Sequence, residues 1–77
     1  MARYELFSTA ACPWCDEMRE WLEWNDLDFL EYDVAADGDA RARMISISGG
    51  QRMVPVLVAD GRVAQIGWQG QGCMVEG

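Results

Sequence analysis

The chain has 77 residues, about half of them apolar, and carries thirteen acids against six basic residues for a net charge of −7. That length makes one small domain over residues 1–77 with a thin core. The apolar share is too high for disorder, and no apolar run approaches the ~18 residues of a membrane span. An acidic surface repels nucleic acid and anionic membranes, so neither is expected as a partner. Most of the acids read as a solvated surface. Met1 is followed by Ala2-Arg3-Tyr4-Glu5 without a long apolar stretch, so no secretory leader is expected and the expected address is cytoplasmic.

Arg3 to Ser8 contains Tyr4, Leu6 and Phe7 in rough alternation and predicts a first strand. Ser8 to Ala11 is a short loop leading to Cys12-Pro13-Trp14-Cys15. A helix is expected from Pro13 to about Asn25-Asp26, since Pro suits the first helical position and Asp16 and Glu17 suit the first turn. Met18, Trp21, Leu22 and Asn25 recur at helical spacing and should face a core. Leu27 to Val34 predicts a second strand, parallel to the first across a right-handed crossover. A second helix over Asp39–Ser48 is expected from Ala40, Met44 and Ile47, with Asp37 or Asp39 as its cap and Gly49-Gly50 as its stop. Val54 to Ala59 predicts a third strand, and Asp60-Gly61 a hairpin turn into a last strand, Arg62–Ile66. The tail from Gly67 has four glycines in eleven residues, so it is expected to be a loop with at most one helical turn.

The chemistry concentrates in Cys12-Pro13-Trp14-Cys15. Two thiols spaced C-x-x-C at the mouth of a helix can close a reducible disulfide, and the helix N-terminus favours the thiolate of the first, below the free value of about 8.5. That thiolate attacks a disulfide, and the second thiol resolves the mixed disulfide. A tetrahedral zinc site would need a second ligand pair, and the chain has no His and only one further Cys, Cys73. A permanent staple is also disfavoured, since staples usually close longer loops. Three cysteines fit one dithiol plus a spare in a reducing compartment. Cys73 is read as a buried small apolar residue. Its other readings are an auxiliary thiol for Cys12 or a glutathionylation site.

Three features together resemble the glutaredoxins, a branch of the thioredoxin fold. They are the strand followed by Cys12-Pro13-Trp14-Cys15, the Gly50-Gln51-Arg52-Met53-Val54-Pro55 element at the third strand, and the Asp60-Gly61 hairpin. The resemblance spans roughly residues 3 to 67. It implies an α/β, thioredoxin-like fold, β-α-β-α-β-β, with a four-stranded mixed sheet, helices on both faces and a reduced or absent C-terminal helix. It also implies a cis Val54–Pro55 bond beside the cysteines, leaving the Val54 backbone free to pair with an extended substrate. By the same resemblance Cys12 is the nucleophile and Cys15 the resolving thiol. Trp14, Gln51, Arg52, Val54 and Pro55 would form the glutathione groove. The implied activity is thiol-disulfide oxidoreduction on protein or glutathione mixed disulfides by a monomer, with glutathione as co-substrate and no bound cofactor.

The sequence departs from the family pattern at several positions. Ser8-Thr9-Ala10-Ala11 stands where many members carry a Lys, and this chain has no Lys. Gly67-Trp68-Gln69-Gly70 replaces the usual Gly-Gly-x-Asp, and Met53 stands where Thr is usual. Arg52 is therefore the expected cation near Cys12. The Gly67-Trp68 stretch also looks like that of redoxins serving ribonucleotide reductase, which take electrons from thioredoxin reductase. A further alternative is a module bridging an iron–sulfur cluster between two protomers; Pro13 argues against it, because cluster-binding members tend to have a small residue there.

Overall fold

A computed structural model describes residues 3–75. The leader expectation at Met1-Ala2 and the last two residues of the tail lie outside them. The element order is β1 (Tyr4–Ser8), α1 (Pro13–Trp24), β2 (Phe29–Asp33), α2 (Gly38–Ile47), β3 (Met53–Val54), β4 (Val56–Ala59), β5 (Arg62–Ile66) and β6 (Cys73–Met74). Four strands form the main sheet in the order β2-β1-β4-β5. β1 and β2 are parallel, whereas β4 is antiparallel to both β1 and β5. This is the expected four-stranded mixed sheet.

Side chains alternate across that sheet and so divide the core in two. Leu6 and Leu57 point to the face covered by Met18 and Leu22 of α1. Phe7, Val56 and Val58 point to the other face, with Ala40 and Met44 of α2. The helices thus lie on opposite faces. In α1 the buried positions are Cys15, Met18 and Leu22. Trp21 and Asn25, expected on that stripe, are exposed. Trp21 leans instead on Trp68, with ring centroids 6.4 Å apart. Asp37 caps α2, its carboxylate accepting from the N–H groups of Asp39 and Ala40 at 3.1 Å.

Two expectations fail near the C-terminus. The run Val54–Ala59 is broken at Pro55, which has no N–H to give to a ladder. β4 stays in the main sheet, while β3 turns away from it. The tail is also more than a loop. Trp68 and Gln71 bridge across a tight turn, and the residues beyond it form β6, antiparallel to β3. Local glycine cost did not decide this segment, because tertiary pairing with β3 overrides it.

Two ion pairs tie helix to sheet. Arg19 of α1 donates through Nε to both carboxylate oxygens of Glu31 on β2, at 2.7 and 2.9 Å, and also holds Asp16. Ser8 donates to the same Glu31 at 2.7 Å. Arg43 of α2 grips Glu5 on β1 and lies over the Phe7 ring. The hydrogen bond from Arg19 holds the Glu31 carboxyl below its ordinary value, against a smaller upward push from burial. Arg43 does the same for Glu5.

Leu22 is completely buried and Trp24 is 88% exposed. Leu22→Ala is expected to cost roughly 2–5 kcal/mol in chemical denaturation, and Trp24→Ala to stay within about 0.5 kcal/mol. A carboxyl lowered in the folded state contributes stability above its unfolded value, and that contribution fades as pH falls through the folded value. Glu31→Gln should therefore cost about 1 kcal/mol at neutral pH. Its midpoint should converge on that of the parent chain as pH drops below the ordinary carboxylate range near 4.5, as a pH series of urea melts would show.

Candidate active site

Cys12 is the N-cap of α1, and its carbonyl accepts the first helical N–H groups, from Cys15 at 3.1 Å and Asp16 at 3.3 Å. Pro13 follows at the first helical position, as the sequence requires for a helix starting between the two cysteines. Cys15 is one turn further along, fully buried and a free thiol. Burial pushes this thiol up from its ordinary value. A backbone hydrogen bond from Thr9 and the charge of Arg19 pull it down, and the charges of Asp16 and Glu31 push it up further. Arg19 thus links the site to the helix–sheet ion pair.

The Val54–Pro55 bond is cis, as expected. Val54 and Pro55 are both buried, and Val54 shares one core cluster with Cys12 and Cys15. Trp14 packs half-buried against that cluster. Gln51 is turned inward. Its side chain accepts from the Met53 N–H at 2.6 Å and donates to the Met53 carbonyl at 3.3 Å. Arg52 is exposed, and its carbonyl accepts from the N–H of Val75 at 2.9 Å. Cys12, Cys15, Trp14 and Val54 therefore meet in one cluster, while Gln51 and Arg52 lie in the segment that leads into β3.

Cys73 overturns its sequence reading as an inert apolar residue. It is disulfide-bonded to Cys12 across 61 residues, with the Cα atoms 6.0 Å apart, a usual span for such a bridge. It stands opposite Val54 in the β3–β6 pair. The Val54 backbone is consequently not free, contrary to expectation; the chain's own C-terminal strand holds it. The available signals were the odd cysteine count and the β-prone Cys73-Met74-Val75 run directly after Gly72. Both were outweighed by the glycine content.

Among the described residues no group of three or more His, Cys, Asp or Glu side chains is arranged to hold a metal ion. Among the described residues no helix is long and apolar enough to cross a membrane.

The glutaredoxin family model matches residues 4–64. An uncharacterized glutaredoxin-like 8.6 kDa protein of the rubredoxin operon of Clostridium pasteurianum is 39% identical over 59 residues, covering 77% of each chain. A probable glutaredoxin of Synechocystis is 33% identical over 77% of this chain and 54% of its own length. Among solved structures, the thioredoxin-like protein BC3987 superposes with a TM-score of 0.76 at 32% identity, over 86% of this chain and 88% of that one. The glutaredoxin of Archaeoglobus fulgidus gives a TM-score of 0.74 at 24% identity, over 90% and 78%, which supports the fold. With these matches, and with a C-x-x-C at the start of α1 beside a cis-proline, the chain belongs to the glutaredoxin family.

Proposed function

We propose that this protein is a thiol-disulfide oxidoreductase that reduces disulfides on proteins or on glutathione adducts. Cys12 attacks and Cys15 resolves. The observation that carries this reading is the position of the two sulfurs: Cys12 caps α1 and bonds Cys73, while Cys15 lies one turn inside the same helix as a free thiol. A helix N-terminus stabilises the anion on the first sulfur. Burial pushes the thiol of the second up from its ordinary value. On attack, one sulfur of the target disulfide leaves as a thiolate and the other stays on Cys12. The Cys15 thiolate then displaces it by bonding to Cys12.

Glutathione is the proposed co-substrate. Its anchoring is weak in this chain, since Lys is absent before Cys12 and an acid is absent at Gln69. A charged contact contributes about 1.5–3 kcal/mol. A second reading, reduction by a dithiol reductase of the thioredoxin reductase type, is favoured by two observations. The Gln51 side chain is engaged on Met53, and the Val54 edge is covered.

Cys12→Ser should abolish reduction of a glutathionylated peptide. Cys15→Ala, which avoids burying an unpaired hydroxyl, should retain part of it because glutathione can replace the resolving thiol. Activity in Cys12→Ser would refute the mechanism, and equal losses would refute the division of roles. Thr9→Lys or Gln69→Asp should lower the KM for glutathione by roughly one to two decades each. An unchanged KM in both, with normal turnover by a dithiol reductase, would favour the second reading.

A further inference from the structure

The segment beyond β5 is built to bring one sulfur back to Cys12. Gly67 donates its N–H to the Pro55 carbonyl at 2.7 Å, which pins the turn beside the site. Its φ of +79° suits glycine, and a Cβ there would stand 2.9 Å from the Gln71 carbonyl oxygen. Trp68 and Gln71 then exchange backbone hydrogen bonds and reverse the chain. At Gly72 the approach to β3 is closer still. A Cβ would overlap the Val54 carbonyl oxygen and lie 2.6 Å from Met53 Cγ. β6 follows, with Cys73 opposite Val54, and Val75 buries itself in the cluster that holds Cys12 and Val54. Backbone pairing on one side and the Val75 plug on the other fix where the Cys73 sulfur stands.

We propose that Cys73 is a second resolving thiol, delivered to Cys12 by β6. This rests on the proposed attack by Cys12. After that attack, Cys12 carries one target sulfur in a mixed disulfide, and the other has left as a thiolate and taken a proton. Cys73 gives up its proton to solvent, and its thiolate bonds to Cys12 Sγ. The Cys12–target bond breaks, and the second target sulfur leaves as a thiolate and is protonated. The target has gained two electrons and two protons, and Cys12 and Cys73 have become a disulfide. An external thiol reductant, glutathione or a protein dithiol, returns the electrons.

The geometry adds a coupling between resolution and release. An extended substrate held on the Val54 backbone and β6 held on the same backbone exclude each other. When β6 docks, it brings the resolving sulfur and takes the edge the product was using. Cys15, on α1, reaches the same Cys12 sulfur without needing that edge. The two resolving thiols therefore differ in what they require: Cys15 only the helix, Cys73 the strand pairing.

The test uses the full chain with Cys15→Ala. The reduced protein is mixed with oxidised glutathione, quenched in acid, alkylated and read by intact mass and peptide mapping. A tethered thiol acts at an effective concentration of about millimolar or more. Below that level of glutathione, the expected product is an internal Cys12–Cys73 disulfide with no glutathione adduct. Cys15→Ala with Cys73→Ser should instead accumulate glutathione on Cys12. Gly72→Val in the Cys15→Ala chain should slow internal closure roughly tenfold or more. Gly72→Val with Cys73→Ser, retaining Cys15, should close Cys12–Cys15 at the rate of Cys73→Ser alone, which also reports that the site has folded. A lasting glutathione adduct on Cys12 of Cys15→Ala, with Cys73 still alkylatable, would overturn the role of Cys73. Closure unaffected by Gly72→Val would overturn delivery by β6. Failure of Cys12 to react in every variant would instead overturn the reading on which the proposal rests.

Discussion

The pairing of β3 with β6 sets the geometry of the whole site. β3 can leave the main sheet because Pro55 interrupts the strand, and once it has left, its free backbone needs a partner. The chain supplies one from its own C-terminal segment. Cys73 then stands opposite Val54 and within bonding reach of Cys12. The strand that closes the domain and the strand that reaches the reactive sulfur are the same one. Stability at this end of the sheet and access to Cys12 are thereby opposed.

The other fixed partner is α1. Its start is positioned by Cys15, Met18 and Leu22, which anchor it to the sheet, and by the Arg19–Glu31 pair, which locks its first turns to β2. Anchoring Cys15 in the core gives it a second role. Burial raises the Cys15 thiol, and Cys12 is buried as well, so the two cysteines differ by their place on the helix. Cys12 sits at the positive end of the helix and Cys15 one turn in, and both share one apolar cluster. The acids Asp16 and Glu31 push the Cys15 thiol up further, and Arg19 pulls it down.

Most of this architecture was legible in the sequence, because the main elements carry strong local signals. Rough alternation marked β1, a β-prone run marked β4, Pro13 and the first-turn acid marked α1, and Asp60-Gly61 marked the hairpin, where both residues take positive φ. The C-x-x-C and the Val54-Pro55 element are short motifs whose residue types follow from chemistry. The end of the chain was not legible. β6 is two residues long, its stability comes from a partner distant in sequence, and the glycines before it read as a loop until Gly72 is seen against Val54. Trp21 misled for a related reason. Its spacing fits the buried stripe, but Trp68 offers it a partner at the surface.

Place on α1 separates the two motif thiols into an attacking sulfur at the N-cap and a reserve inside the first turn, since both are buried. The most direct measurement is the alkylation rate of each cysteine in the fully reduced chain across a pH series, resolved by peptide mass. The account predicts that Cys12 reaches half its maximal rate at a lower pH than Cys15, and that Cys15 stays the slower at neutral pH. A Cys15 that reacts first, or at a midpoint at or below that of Cys12, would contradict it.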